Sequence, residues 1–286
     1  MPTYSVNAIN VGSFNLGESD KIITLFSSER GLIRAVAKGA RKPGAKIAGR
    51  AELLAVNKLL LAQGRSLDII TQAETIESFK AIRNDLTRLA YAFYYAELTV
   101  HLGQGLNQES QIYYEMLMAA LRQLCDLNKE PVYLCLTFQL SLLHLLGLKP
   151  ELDSCVLCRK RLVEYDLGVF HHDLGGAICN LCFSTKTPQG KGQKYKMRLA
   201  EAEEAYGYQD NIEPKGQMSS YFTHLTPLVW KKLILASYSP EQKPVYPNNG
   251  SSEIIEKTLI AARHLLETYI EHRAGKKMKS LGLISI

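Results

Sequence analysis

The spacing of apolar positions changes near residue 80 and divides the chain. Before that point apolar residues come in short runs, several with a period of two, as in strands that bury one face. Residues 4–11 largely alternate, and the stretch 12–20 reads as turn-rich. Residues 22–26 and 32–37 are short strands on either side of a hairpin loop at 28–31. Residues 53–62 and 67–73 form a second hairpin around Gln-Gly-Arg-Ser at 63–66. Five short strands with turns between them predict a small closed barrel of the OB type. Residues 38–50 contain Gly39, Gly44, Gly49 and Pro43, so they are expected as an exposed loop between the third and fourth strands.

From Asn84 onward the period becomes helical. Leu86, Leu89, Ala90, Phe93, Leu98 and Leu102 mark one stripe that stops at Gly103 and Gly105. A second helix begins near Asn107 and carries Ile112, Met116, Leu117, Ala120, Leu121 and Leu124. A third has Pro131 in its first turn and ends at Gly147; apolar nearly all round, it is expected at the centre of a bundle. Its apolar stretch, 131–148, is interrupted by Thr137, Gln139, Ser141 and His144 and is shorter than the ~20 residues of a bilayer span. Residues 168–178 read as a hairpin turning at Gly175 and Gly176, and 188–196 as a linker. Helical segments are expected at 195–206 and 225–238, and a clearer one at 252–274, with Ile255, Leu259, Ala262, Leu266, Tyr269 and Ile270 on its apolar side. The fold class is thus α+β and multidomain. An OB-type barrel at 1–80 precedes a helical bundle at 81–150, a cysteine module at 151–187, and the rest of the helical domain with a basic tail at 188–286.

Charge alters this picture through its distribution. The net charge is only +6, yet nine Lys/Arg stand against one acid, Glu52, between Arg30 and Arg65. Residues 81–150 hold five basic and six acidic groups, and 271–286 four basic and one acidic. Positive charge gathered at both ends of the chain suits a polyanion, and nucleic acid is the commonest one in the cytosol; a solvated face is the competing reading. Arg34, Lys38, Arg41, Lys42, Lys46 and Arg50 fall within 17 residues, with Gly39 and Gly44 permitting close backbone approach to phosphates. Nearby aromatics are few: Phe14, and Phe26, which is expected in the core. The expectation is backbone-dominated, sequence-tolerant binding with steep salt dependence. In the tail, Arg273, Lys276, Lys277 and Lys279 either complement a helix C-terminus or form a second contact with a polyanion or an acidic peptide, with Tyr269, Met278 and Leu281 as its apolar part.

Cysteine placement supplies the one strong chemical motif. Cys155/Cys158 and Cys179/Cys182 are two Cys-x-x-Cys pairs separated by 20 residues. Each pair can form a knuckle presenting two thiolates, and two knuckles close a tetrahedral cage suited to one structural Zn²⁺. His171 and His172 lie close in sequence, but four thiols already complete the shell. Cys125 and Cys135 sit on predicted helices and read as inert core thiols. With no secretory signal discernible, the cysteines point to a reducing, cytosolic compartment. No His-x-Glu, HExxH, Gly-Lys-Ser/Thr or Gly-x-Ser-x-Gly occurs, so no enzymatic activity is expected.

Taken together, these segments resemble the bacterial RecO family of recombination mediators. The resemblance rests on GESDKIITLF at 17–26, GLIRAVAKGARKP at 31–43, GRSLD at 64–68, GLKPELDSC at 147–155 and EHRAGKKMKSL at 271–281, together with the second Cys-x-x-Cys. It implies an N-terminal OB domain, a helical C-terminal domain and a zinc module, with phosphate contacts at Lys38, Arg41 and Lys42. It further implies binding of single- and double-stranded DNA, annealing of complementary strands, contact with the acidic tail of single-stranded-DNA-binding protein (SSB), and recombinase loading with RecR, in the cytoplasm at the nucleoid. The alternative is an interaction scaffold whose basic regions dock acidic protein tails, with DNA binding incidental.

Overall fold

A bend in one long strand closes the N-terminal sheet. The first part of β1 (Thr3–Leu16) pairs antiparallel with β4 (Val56–Ala62), and the second part pairs antiparallel with β2 (Asp20–Ser27). A register shift between Asn10 and Gly12 lets the strand turn from one partner to the other. β2 pairs with β3 (Gly31–Ala37), and β5 (Asp68–Glu77) pairs antiparallel with β4 and parallel with β3, giving the closed order β1-β2-β3-β5-β4. The five-stranded OB-type barrel expected from the alternation is present. β1 runs further than its pattern suggests: residues 12–16, expected as turn, pair with 20–24. Gly12 is half-buried and Ser13–Leu16 are exposed, so no apolar period marks them as strand.

The computed structural model describes residues 2–186, 222–238 and 252–284, arranged in two units. The expected linker at 188–196 and helix at 195–206 lie outside the described residues. The first unit holds residues 2–148 and 274–284. Its barrel is filled by Val6, Ala8, Ile23, Leu25, Ile33, Ala35, Leu59 and Leu61. After the short α1 (Lys80–Arg83) come α2 (Leu86–Leu102), α3 (Ser110–Leu124) and α4 (Pro131–Leu145). As expected, α4 is buried over most of its circumference. On α2 the buried side is formed by Tyr91, Tyr94, Tyr95 and Leu98, while Leu86, placed on the apolar stripe by its spacing, is 83% exposed. Tyrosine can bury its ring and satisfy its hydroxyl, as Tyr94 does by accepting from Gln139 Nε2 at 2.9 Å, so a stripe drawn through leucines alone misses it.

Arg88 is a further departure from the pattern. It is buried and donates to the carbonyls of Leu124, Asp126, Leu127 and Lys129, tying the end of α3 and the following turn to α2. At the other end of the chain, the Glu97 carboxylate accepts the Lys279 and Ser280 N–H groups at 2.9 and 2.8 Å, and the Ser280 hydroxyl. These bonds hold the start of a short terminal helix (Leu281–Ile284) in the first unit.

The second unit is built on a three-stranded sheet, β7-β6-β8, formed by β6 (Leu167–His171), β7 (Gly176–Cys179) and β8 (Phe222–His224). β6 and β7 are the predicted hairpin; β8 is too short to show a pattern. α5 (Asn180–Lys186), α6 (Pro227–Tyr238) and α7 (Ser252–Ala274) complete the unit. The predicted face of α7 is inward: Leu259, Ala262, Leu266, Tyr269 and Ile270 are buried, and Tyr269 meets the edge of Phe170 with ring centres 5.3 Å apart. Among the described residues no helix is long and apolar enough to cross a membrane.

Candidate nucleic-acid interface and metal centre

The basic loop is pinned by small apolar residues that alternate with its cations. Ala40 and Ala51 are buried in the barrel core and Ile47 packs against it, which turns Lys38, Arg41, Lys42 and Lys46 outward. Polar anchors fix both ends. Asp20 accepts the Gly39 N–H at 2.8 Å, and the Arg41 main-chain N–H donates to Ser19 O at 2.9 Å. At the far end, Asn10 Nδ2 donates to the carbonyls of Arg50 and Glu52, both at 2.8 Å, and Asn57 Nδ2 donates to Arg50 O at 2.9 Å. Apolar alternation does not single out Asp20, Asn10 or Asn57; only Asn10 stands out in the sequence, as a polar residue between Ile9 and Val11. The Gly39 N–H, then Ser19, Lys38 and Lys42, hold the Asp20 carboxyl below its ordinary range, so it stays ionised.

Arg34, Lys38, Arg41, Lys42 and Lys46 are exposed, whereas Arg50 is half-buried. Two of the six are partly committed: Arg41 Nη1 donates to Gly17 O at 2.7 Å and Arg50 Nη1 to Lys46 O at 3.2 Å. None of the six forms a salt bridge among the described residues, unlike neighbouring Lys21, which pairs with Glu52 at 3.3 Å. Gly39 and Gly44 both have positive φ, +68° and +72°, and a side chain at Gly44 would meet nothing within 4 Å. Their open backbone leaves phosphate oxygens room to approach. Phe26 is buried as expected, and Phe14 is half exposed near the tip of β1.

The tail cations Arg273, Lys276, Lys277 and Lys279 are exposed. Two of the apolar companions expected for them are not available: Tyr269 is 1% and Met278 5% exposed, so neither faces solvent. That corrects the expected apolar dock and leaves the tail a set of exposed charges beside a half-buried Leu281.

The four cysteines converge. The Sγ atoms of Cys155, Cys158, Cys179 and Cys182 all lie within 4.8 Å of one another. The Cys158–Cys179 separation is 3.8 Å, close to the ~3.8 Å edge of a tetrahedron with metal–sulfur bonds of about 2.3 Å. Main-chain N–H groups already address the sulfurs, from Cys179 to Cys155 Sγ at 3.4 Å and from Cys182 to Cys179 Sγ at 3.5 Å. Burial opposes ionisation of Cys155, but N–H groups from Cys179, Cys158 and Leu157 bring its thiol down to about 7. Burial and its cysteine neighbours push Cys182 up to about 12. Four thiols so close cannot all ionise in each other's company, and a divalent cation removes that conflict. The donor set fits a metal ion. His172 lies outside it, buried, with Nε2 3.0 Å from Thr223 Oγ1. Cys135 is buried and burial pushes Cys125 up, as suits inert thiols.

Known proteins place these features in a family. The chain matches the family model "Recombination protein O N terminal" over residues 1–79 and "Recombination protein O C terminal" over residues 83–201. It is 37% identical over 194 residues to a DNA repair protein RecO of Symbiobacterium thermophilum, covering 67% of this chain and 74% of the relative. A RecO of Nostoc punctiforme is 38% identical over 202 residues, 67% of this chain and 66% of the relative. One from Gloeothece citriformis is 29% identical across 99% of this chain and 96% of its own length.

Proposed function

Since the chain belongs to the RecO family of DNA repair proteins, we propose that it is a non-enzymatic recombination mediator that binds single- and double-stranded DNA and anneals complementary strands. The observation that carries this reading is the basic loop: exposed cations with no salt bridge among the described residues, on a rigidly anchored stretch of an OB-type barrel. Lys38, Lys42 and Lys46, with Arg34, Arg41 and Arg50, hold the phosphate backbone without reading bases. Neutralising two strands at once lowers their mutual repulsion and lets complementary sequences find each other. The exposed Arg273, Lys276, Lys277 and Lys279 add a second polyanion contact. The Cys₄ cluster holds one Zn²⁺ that braces the module and leaves no open coordination position for chemistry.

In this role the protein works in the cytoplasm at the nucleoid. It contacts the acidic tail of SSB and cooperates with RecR to load recombinase. The test is annealing of complementary oligonucleotides pre-coated with SSB. The zinc-loaded protein should accelerate it, and acceleration should fade with salt. Lys38→Glu combined with Arg41→Glu should abolish the effect; unchanged DNA affinity and salt slope in that variant would rule the barrel site out.

A further inference from the structure

Exposed cations on the barrel continue past the basic loop. Arg30 immediately precedes β3, Arg34 lies at its middle and Lys38 immediately follows it, and all three are exposed. Arg34 points outward from β3, between the buried Ile33 and Ala35, while Arg30 sits in the turn before Gly31 (φ +66°) and Lys38 opens the basic loop, so the three mark the two ends and the middle of a strand that spans about 26 Å at strand rise. None of the three forms a salt bridge among the described residues.

The end of this strand away from the loop is organised by residues far apart in sequence. The Tyr4 hydroxyl donates to Asp68, whose other carboxylate oxygen accepts the Gly64 N–H at 3.0 Å. The parallel register Ala35↔Asp68 sets the turn before β5 beside β3, and Arg65 is exposed on that turn. The Arg30 guanidinium lies over the Tyr4 ring, 3.8 Å from its centre. Burial and Asp68 raise Tyr4 to about 12, so it remains a neutral phenol fixed in position. An exposed guanidinium backed by an aromatic ring offers its other face to a base, the platform that the loop itself lacks.

We propose that a single strand held by the basic loop runs along the outer face of β3 and ends on Arg30 stacked over Tyr4, with Arg65 as a second clamp. The track accommodates about four nucleotides, the lower end of OB-fold site sizes. This rests on the DNA-binding reading above and adds to it a path and a stacking contact.

Fluorescence anisotropy of the full-length, metal-loaded protein on oligo-dT of graded length tests it. Arg30→Gln with Arg65→Gln should weaken binding about tenfold, lower the salt slope by about 1.4, and shorten the length at which affinity levels off. Arg30→Lys keeps the charge but not the flat surface, so it should retain the slope and lose affinity. Circular dichroism confirms folding of each variant. If Lys38→Gln with Arg41→Gln loses binding while the Arg30/Arg65 variant binds as wild type, the track is wrong and the loop site stands. If neither pair changes binding, both readings fall.

Discussion

The barrel and the cysteine module hold themselves together by different means. The barrel is closed by continuous strand pairing and filled by aliphatic side chains, with Ala40 and Ala51 of its basic loop sealing the interior. The loop cations Lys38, Lys42 and Lys46 are therefore largely free of structural duty, while Asp20 and Asp68 anchor its turns. In the second unit polar groups are part of the interior. Four thiols share one cage, His172 is buried, and Arg263 pairs with Glu267 at 3.0 Å with side chains 5% and 4% exposed. Hydrophobic burial tolerates changes of surface charge, whereas a buried polar group is stabilising only while its partner is present. The barrel should thus tolerate the removal of its loop lysines, and the second unit should not tolerate the loss of its buried polar groups.

Removing the metal proposed for the four cysteines should give the largest contrast. Structural zinc sites contribute on the order of 10 kcal/mol, more than a small module holds in reserve. Chelation or Cys155→Ser should unfold the second unit and leave the barrel native, read by metal stoichiometry and by amide resonances of the two regions. Unfolding of both regions together, or a metal-free native protein, breaks the comparison.

Next come single interior changes. Arg263→Met leaves the buried Glu267 with His264 Nδ1 at 2.8 Å but without its guanidinium, and should cost up to about 3–5 kcal/mol. Leu25→Ala opens a cavity in the barrel at about 3 kcal/mol. Denaturant titration followed region by region should show each destabilisation only in its own unit.

Acid sharpens the contrast further. Burial, then His272 and His171, hold His172 down to about 4, with Asp173 opposing. An unfolded histidine takes up its proton near 6.5, so in this window the unfolded state binds more protons and stability falls as pH drops. The full effect is at most about 3 kcal/mol between pH 6.5 and pH 4. His172→Gln should flatten that part of the profile in the second unit, and an unaltered profile would assign the acid sensitivity elsewhere.

The smallest expected change in stability belongs to the loop. Lys42→Gln or Lys46→Gln should shift stability by less than about 0.5 kcal/mol, while removing one phosphate-binding charge lowers the DNA salt slope by about 0.7–0.9. A large destabilisation would mean that these cations brace the fold.

Local spacing is enough to read the barrel strands apart from residues 12–16, the three bundle helices, the 252–274 helix and the cysteine knuckles. In each case the information lies within a few residues: period two, period 3.6, or Cys-x-x-Cys. The loop cations are also legible, because six basic residues within 17 form a cluster however the chain folds. What only tertiary structure decided is which groups those elements hold against each other. The Asp20, Asn10 and Asn57 anchors, the Arg88 clamp on four carbonyls, and the Tyr4–Asp68–Arg30 assembly join residues brought together by strand closure and helix packing. Burial of Tyr269 and Met278 was decided there too, and it overturned the apolar dock expected of the tail. Periodicity reports which side of an element is apolar; a hydrogen bond or a stack depends on distances set only when the chain is folded.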